Sequence, residues 1–222
     1  MVARLEWRAA YRIIPSLYPV VGIFDEVVDP ADLEVVLELE ASTNPRVLDE
    51  AGEISMVRAR DRIAGPCSTP IMAAFTHTMP SRFSDGSYGV FYAAHDEPTA
   101  IAETAYHRAR FLRDAQLRSE IVQMRVYRAR IDGSFDDVRP RSLRSTIYDA
   151  NSYVASQKYG RALYMKDVVD GIVYRSVRRR EGECVAVFRP RRVKSIKVLR
   201  HLEYRFENYE LTAVLAVDSI VA

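Results

Sequence analysis

This chain of 222 residues has only two cysteines and four histidines. Cys67 and Cys184 have no metal-ligand spacing, and His77, His95, His107 and His201 form no recognisable cluster. No metal cofactor is therefore expected. Glycine is also scarce. Its nine positions include no Gly-x-x-x-x-Gly-Lys loop and no Gly-x-Gly-x-x-Gly, which argues against the usual nucleotide-binding loops. His-Glu-x-x-His and Cys-x-x-Cys are absent too. No stretch of about 18 uncharged apolar residues exists, so no membrane span is expected. The opening residues MVARLEWRAAYRIIP lack the apolar segment and small-residue cleavage site of a secretory leader. The cysteines give no argument for an oxidising compartment, so a cytoplasmic location is expected.

Lysine is the other scarcity. Only Lys158, Lys166, Lys194 and Lys197 occur among 32 basic residues; the rest are arginine. The planar guanidinium fork suits phosphate and carboxylate, although genomic base composition explains the bias equally well. Net charge is only +2, which gives no global case for direct nucleic-acid binding. Charge is uneven: Asp25 to Glu53 is acidic and Arg175 to Arg205 basic. Solvated surface accounts for both, with partner docking and phosphate or RNA contact as the functional readings.

A composition 48% hydrophobic and 28% charged fits one domain over residues 1–222 with a substantial core. Tyr11 to Pro15 reads as a short strand. Asp29-Pro30 reads as the cap and first position of a helix to about Ala41, with a break at Asn44-Pro45. A helix is expected at about Thr69 to Thr76 and a buried strand at Tyr88 to Ala94. A helix begins at Asp96-Glu97-Pro98 and runs to about Arg113. Ile121 to Ile131 alternates as a strand, and Gly133 with Asp136-Asp137 predicts a turn. Asn151 to Met165 predicts a helix. Gly171–Val177, Cys184–Phe188, Ser195–Phe206 and Tyr209–Val217 predict closing strands, with a hairpin at Glu207-Asn208. Strands outnumber helices without strict alternation, so the expected class is α+β, helices on a mostly antiparallel sheet. The segment of about 25–80 is expected to elaborate that core.

The densest stretch chemically is Ser81 to Glu103, SRFSDGSYGVFYAAHDEPTAIAE. Arg82 beside a turn can meet a phosphate or carboxylate bidentately. Tyr92 ends an apolar strand, where its ring can stack on a flat ligand. Glu103 and His107 share a helix face distinct from that of Ile101 and Ala105. If that face lines a cleft, the carboxylate can hold a ribose hydroxyl and stabilise an oxocarbenium-like centre. Ser156 lacks a nucleophile elbow and is better suited to donating a hydrogen bond. Taken singly, each residue is more simply read as a surface or core side chain.

In order along the chain, these residues resemble the RES domain family. The matching pieces are Tyr11-Arg12-Ile13, Ser81-Arg82-Phe83, Gly89-Val-Phe-Tyr92, Thr99-Ala-Ile-Ala-Glu103, Ser156-Gln157, Asp170-Gly-Ile-Val-Tyr174 and Val187-Phe-Arg-Pro190. The family often carries glycine and asparagine where this chain has Ser81 and Ser84. The resemblance implies a split antiparallel β-core like that of ADP-ribosyltransferases of the diphtheria-toxin type. It implies a growth-arresting toxin that cleaves the nicotinamide–ribose bond of NAD, the substrate, with phosphate, water or a protein side chain as acceptor. It implies an Xre-like helix-turn-helix antitoxin as partner. Arg12 and Arg82 would hold phosphates or ribose, Tyr92 would stack on nicotinamide, Glu103 would fix the ribose, and Ser156 would bond within the nicotinamide pocket. Tyr11 and His107 are further candidates. The rival from another class is a non-catalytic module binding a nucleotide or an acidic partner.

Overall fold

A computed structural model of the chain describes residues 1–16, 22–25, 29–42 and 46–217. The expected break at Asn44-Pro45 lies outside them. In chain order the elements are β1 (Val2–Pro15), α1 (Leu33–Ala41), α2 (Arg46–Ala51), α3 (Thr69–Thr76), β2 (Phe91–Ala94), α4 (Glu97–Asp114), β3 (Ser119–Asp137), α5 (Val154–Lys166), β4 (Gly171–Arg175), β5 (Glu183–Val187), β6 (Val193–Glu207) and β7 (Glu210–Val217). The class is α+β, as the excess of strands without strict alternation leads one to expect.

The strands form one sheet in the order β1-β2-β5-β4-β3-β6-β7, and β1 also pairs with β3. The first five strands in that order therefore close on themselves as a ring. From the opposite edge of β3, β6 and β7 extend the sheet. The sheet is mixed: β3 and β4 run parallel through Asp136 and Asp137, and every other pairing of described strands is antiparallel.

Two cores result, one on each face. The first joins Leu5, Trp7, Phe91, Tyr127, Ile131 and Phe135 to the helical layer of Leu33, Leu37, Val47, Ala51, Ile71, Met72 and Phe75. The second joins Ile13, Val122, Met124, Val126, Ile172 and Tyr204 to Ala100, Ala105, Ala109 and Leu112 of α4. Each large apolar side chain buried this way contributes about 1.5–3 kcal/mol. β3 serves both cores by changing face. Its inward residues are Val122, Met124 and Val126, then Tyr127, Ala129 and Ile131, and the switch falls where its register with β6 slips between Val126 and Tyr127. β1 slips likewise between Trp7 and Ala10.

Several local readings hold. The Asp29 carboxylate accepts from Ala31 N at 2.9 Å, ahead of Pro30. Asp96 caps α4, accepting from Thr99 N and Thr99 Oγ1 at 2.8 Å each. The β6–β7 hairpin is present but turns one residue later than expected, through Asn208 and Tyr209, both at positive φ (50° and 67°), while Glu207 still pairs with Glu210. Others need correction. Asp136-Asp137 is no turn: β3 runs through Gly133 to Asp137, because partners absorb both carboxylates. Tyr159 Oη donates to Asp136 at 2.5 Å, and Arg139 grips Asp137 through Nε and Nη2. β1 begins at Val2 rather than Tyr11, with Leu5 and Trp7 buried between exposed Arg4, Glu6 and Arg8. α2 is an additional helix.

Gly89 marks where the helical layer touches the sheet. A Cβ there would lie 2.2 Å from Phe75 Cα, so only glycine lets α3 come this close to the start of β2.

Candidate functional site

A cleft of about 720 Å³ opens between the N-terminal half of the ring and α4. That is a usual size for a small-molecule site. Six of the residues expected to form a site line it: Tyr11, Arg12, Arg82, Tyr92, Glu103 and His107. They come from β1, the Ser81–Phe83 loop, β2 and α4. The glutamate–histidine face of α4 therefore lines a cavity rather than open solvent. Apolar Ala105, Ala109 and Leu112 hold the opposite face in the core and so fix the helix rotation.

Arg82 is buried. Its Nη1 donates to Ile147 O at 3.2 Å and to Asp149 O at 3.1 Å, and its guanidinium lies 4.6 Å from the Tyr153 ring centroid. Its Nη2 is buried with no hydrogen-bond partner. Arg12 donates Nη1 to Tyr92 O at 3.1 Å and packs 4.8 Å from the Phe91 ring centroid. Burial pushes the Arg12 guanidinium down to about 10, with Tyr127 and Tyr92 opposing, so it stays cationic at neutral pH. Among the described residues neither arginine has a carboxylate partner. Taking such charges out of water costs several kcal/mol per ion, of order 1–3 kcal/mol being recovered through carbonyl hydrogen bonds. Two cations in that state on one cleft can accept an anion.

Tyr92 is a wall and a staple. Its hydroxyl meets Ser81 Oγ at 2.9 Å and accepts the Phe83 N–H at 2.9 Å, which holds the loop that carries Arg82. Burial pushes its phenol up to about 12, the hydrogen bonds from Ser81 and Phe83 opposing. Ser84 Oγ donates to Tyr88 O at 2.6 Å and accepts from Gly86 N at 3.1 Å. Thus Ser81 and Ser84 both hold the turn. Beneath the loop lies Gly160 of α5, where a Cβ would come within 2.2 Å of Phe83 O.

Glu103 is oriented by a residue that the sequence reading passed over. Ser176, buried just beyond β4, donates Oγ to Glu103 Oε1 at 2.5 Å. The same oxygen accepts the N–H groups of Arg178 and Arg179, each at 3.0 Å. The signal available was its place after Tyr174-Arg175, at the end of a buried strand beside a run of arginines. His107 sits at the exposed rim. Partial desolvation lowers its imidazole below the usual range, opposed by Glu103, so the ring is mostly neutral at pH 7.

Ser156 is not on the cleft surface. It is fully buried in the first turn of α5 and its Oγ donates to Tyr153 O at 3.0 Å. The next residue, Gln157, lines the cleft and donates Nε2 to Ser81 O at 3.0 Å. Tyr174 and Cys184 form the floor, and burial raises both far above their usual ranges, so neither is a ready nucleophile. Among the described residues no group of His, Cys, Asp or Glu is placed to hold a metal ion, and no helix is long and apolar enough to cross a membrane.

The RES domain model matches residues 58–207, which take in Arg82, Tyr92, Glu103 and Ser176. The chain belongs to the RES domain family. Tyr11 and Arg12 precede the matched span, yet β1 brings both to the RES cleft. Uncharacterized protein y4oC of Sinorhizobium fredii is 26% identical over 210 residues, covering 94% of this chain and 87% of that protein. The crystal structure of the M. tuberculosis MbcT–MbcA toxin–antitoxin complex aligns at a TM-score of 0.42 and 10% identity, over 90% of this chain and 86% of that one.

Proposed function

We propose that this RES protein is a toxin-like enzyme that cleaves the nicotinamide–ribose bond of NAD, as members of its family are understood to do. The observation that carries the reading is two cleft arginines that have no carboxylate partner among the described residues, facing the same cavity as Glu103. Arg12 and Arg82 would hold the pyrophosphate or ribose oxygens. Glu103, fixed by Ser176, would hold the nicotinamide ribose and stabilise the cation that forms as nicotinamide leaves with the bonding electrons. Tyr92 and Tyr174 would wall the nicotinamide end, and Tyr11 and His107 would border the ribose. Ser156 would act behind the wall by fixing Tyr153, over which Arg82 lies.

The ribosyl cation is then trapped by phosphate, water or a protein side chain, so NAD phosphorolysis, hydrolysis and protein ADP-ribosylation share this site. A ring-shaped β-core with a cleft at its edge fits an ADP-ribosyltransferase-like architecture. The partner fitting this reading is an Xre-like helix-turn-helix antitoxin that covers the cleft, acting in the cytoplasm where NAD is abundant.

The test is incubation with NAD, with and without phosphate, reading nicotinamide release and the mass of the ribosyl product. Release by the native chain and its loss in Glu103→Ala are expected. ADP-ribose-1″-phosphate, free ADP-ribose or a modified protein identifies the acceptor. No release under any of these conditions refutes the enzyme, and NAD binding lost in Arg82→Ala without turnover would establish the binding module instead.

A further inference from the structure

α4 carries more of the cleft than the glutamate and histidine of its first turns. Arg110, Phe111 and Asp114 line the cavity as well, on the same side of the helix as Glu103 and His107. Phe111 is eight residues beyond Glu103, about 12 Å along the axis at 1.5 Å per residue. The residue is 51% exposed. A single exposed phenylalanine is ordinary; this one is braced. The Arg108 guanidinium lies 4.6 Å from its centroid, and Arg108 is itself gripped by Glu120 through both Nε and Nη2. The Arg108–Glu120 pair is mostly buried. One face of the Phe111 ring is thus backed by a fixed planar cation, and no other ring contact involves it among the described residues. A rigid aromatic face at the cleft rim, held before any ligand arrives, is a stacking platform whose ordering cost is already met.

We infer that Phe111 is the platform for the purine base of a dinucleotide, whose other end lies at Glu103. This rests on the NAD reading and deepens it: the far end of the cleft recognises a base, and the enzyme prefers the dinucleotide to nicotinamide mononucleotide. The separation suits a ligand with two rings joined by a pyrophosphate, and Arg12 lies on the same cleft to meet the bridge. Arg110 and Asp114, 4.0 Å apart, face each other as an ion pair on the same stretch of α4.

The experiment compares kcat/KM for NAD and for nicotinamide mononucleotide in the native chain, Phe111→Ala and Phe111→Trp, with folding checked by circular dichroism. Stacking on one ring predicts that Phe111→Ala lowers the NAD-to-mononucleotide ratio about tenfold, through KM, and that Phe111→Trp restores it. An unchanged ratio, or equal losses on both substrates, overturns the inference while leaving NAD cleavage intact. Titration with AMP separates the two ideas. AMP that quenches the Phe111→Trp fluorescence supports the platform even if no nicotinamide is released. Absence of both quenching and release refutes the platform and the NAD reading together.

Discussion

Ser176 Oγ donates to Glu103 Oε1 at 2.5 Å while it accepts two backbone N–H groups from the turn that follows it. With both acceptor positions used, the hydroxyl proton has one direction to point. The glutamate is therefore aimed by a strand end, through a side chain without charge of its own. Ser176→Ala frees the carboxylate to swing. Nicotinamide release is expected to fall about 10–100-fold with little change in NAD affinity, as kcat and KM measured separately will tell.

Arg82→Lys is a sharper probe than Arg82→Ala. A lysine keeps the charge and one nitrogen for Ile147 O and Asp149 O, both of which Nη1 alone serves, but it has no counterpart of Nη2, the nitrogen left without a partner. NAD affinity is expected to drop about tenfold in the lysine variant, where calorimetric titration reads the loss. Affinity equal to that of the native chain would mean that charge alone suffices.

Gly160→Ala tests the packing under the Arg82 loop. The new Cβ meets a backbone oxygen at 2.2 Å, so either α5 or the Phe83 carbonyl must move. A loss of about 1–3 kcal/mol in denaturant unfolding is expected, together with weaker anion binding as the loop shifts.

Asp25 ties the helical layer to the start of α3. It accepts from Thr69 N at 3.0 Å, Thr69 Oγ1 at 2.8 Å, Ser68 Oγ at 3.3 Å and Cys67 N at 3.1 Å. Burial works to raise this carboxyl, but the hydrogen bonds win and hold it below the usual range. A depressed native value means that the unfolded chain takes up the proton first as acid is added. The stabilisation is complete above the unfolded carboxylate range and is lost as pH falls through the lower native value. Asp25→Ala should cost about 1 kcal/mol at pH 7, after solvent screening, and progressively less below about pH 4. Unfolding midpoints against pH give the comparison.

The helices were largely legible because their ends carry chemistry: Asp29-Pro30, Ser68-Thr69-Pro70 and Asp96-Glu97-Pro98 each mark a start that the structure keeps. The strands were legible in existence and less so in extent. Charge at Asp136-Asp137 reads as a turn until Tyr159 and Arg139 are known to meet it, and those partners are remote in sequence or shaped by the fold. The cleft residues Arg82, Tyr92 and Glu103 could be named from one stretch because a loop, a strand and a helix in succession carry them. The serine could not. Ser156 and Ser176 are both ordinary serines near tyrosines, and what separates them is which one the ring brings beside α4.

β3 has one further consequence. Since Val122, Met124 and Val126 face one core and Tyr127, Ala129 and Ile131 the other, neither core can loosen without disturbing the strand that fills both. The helical layer and the cleft layer then melt in a single cooperative step, and their amides share one slowest exchange rate. A ligand bound against α4 would thereby slow hydrogen exchange in α1 and α3, on the far side of the sheet.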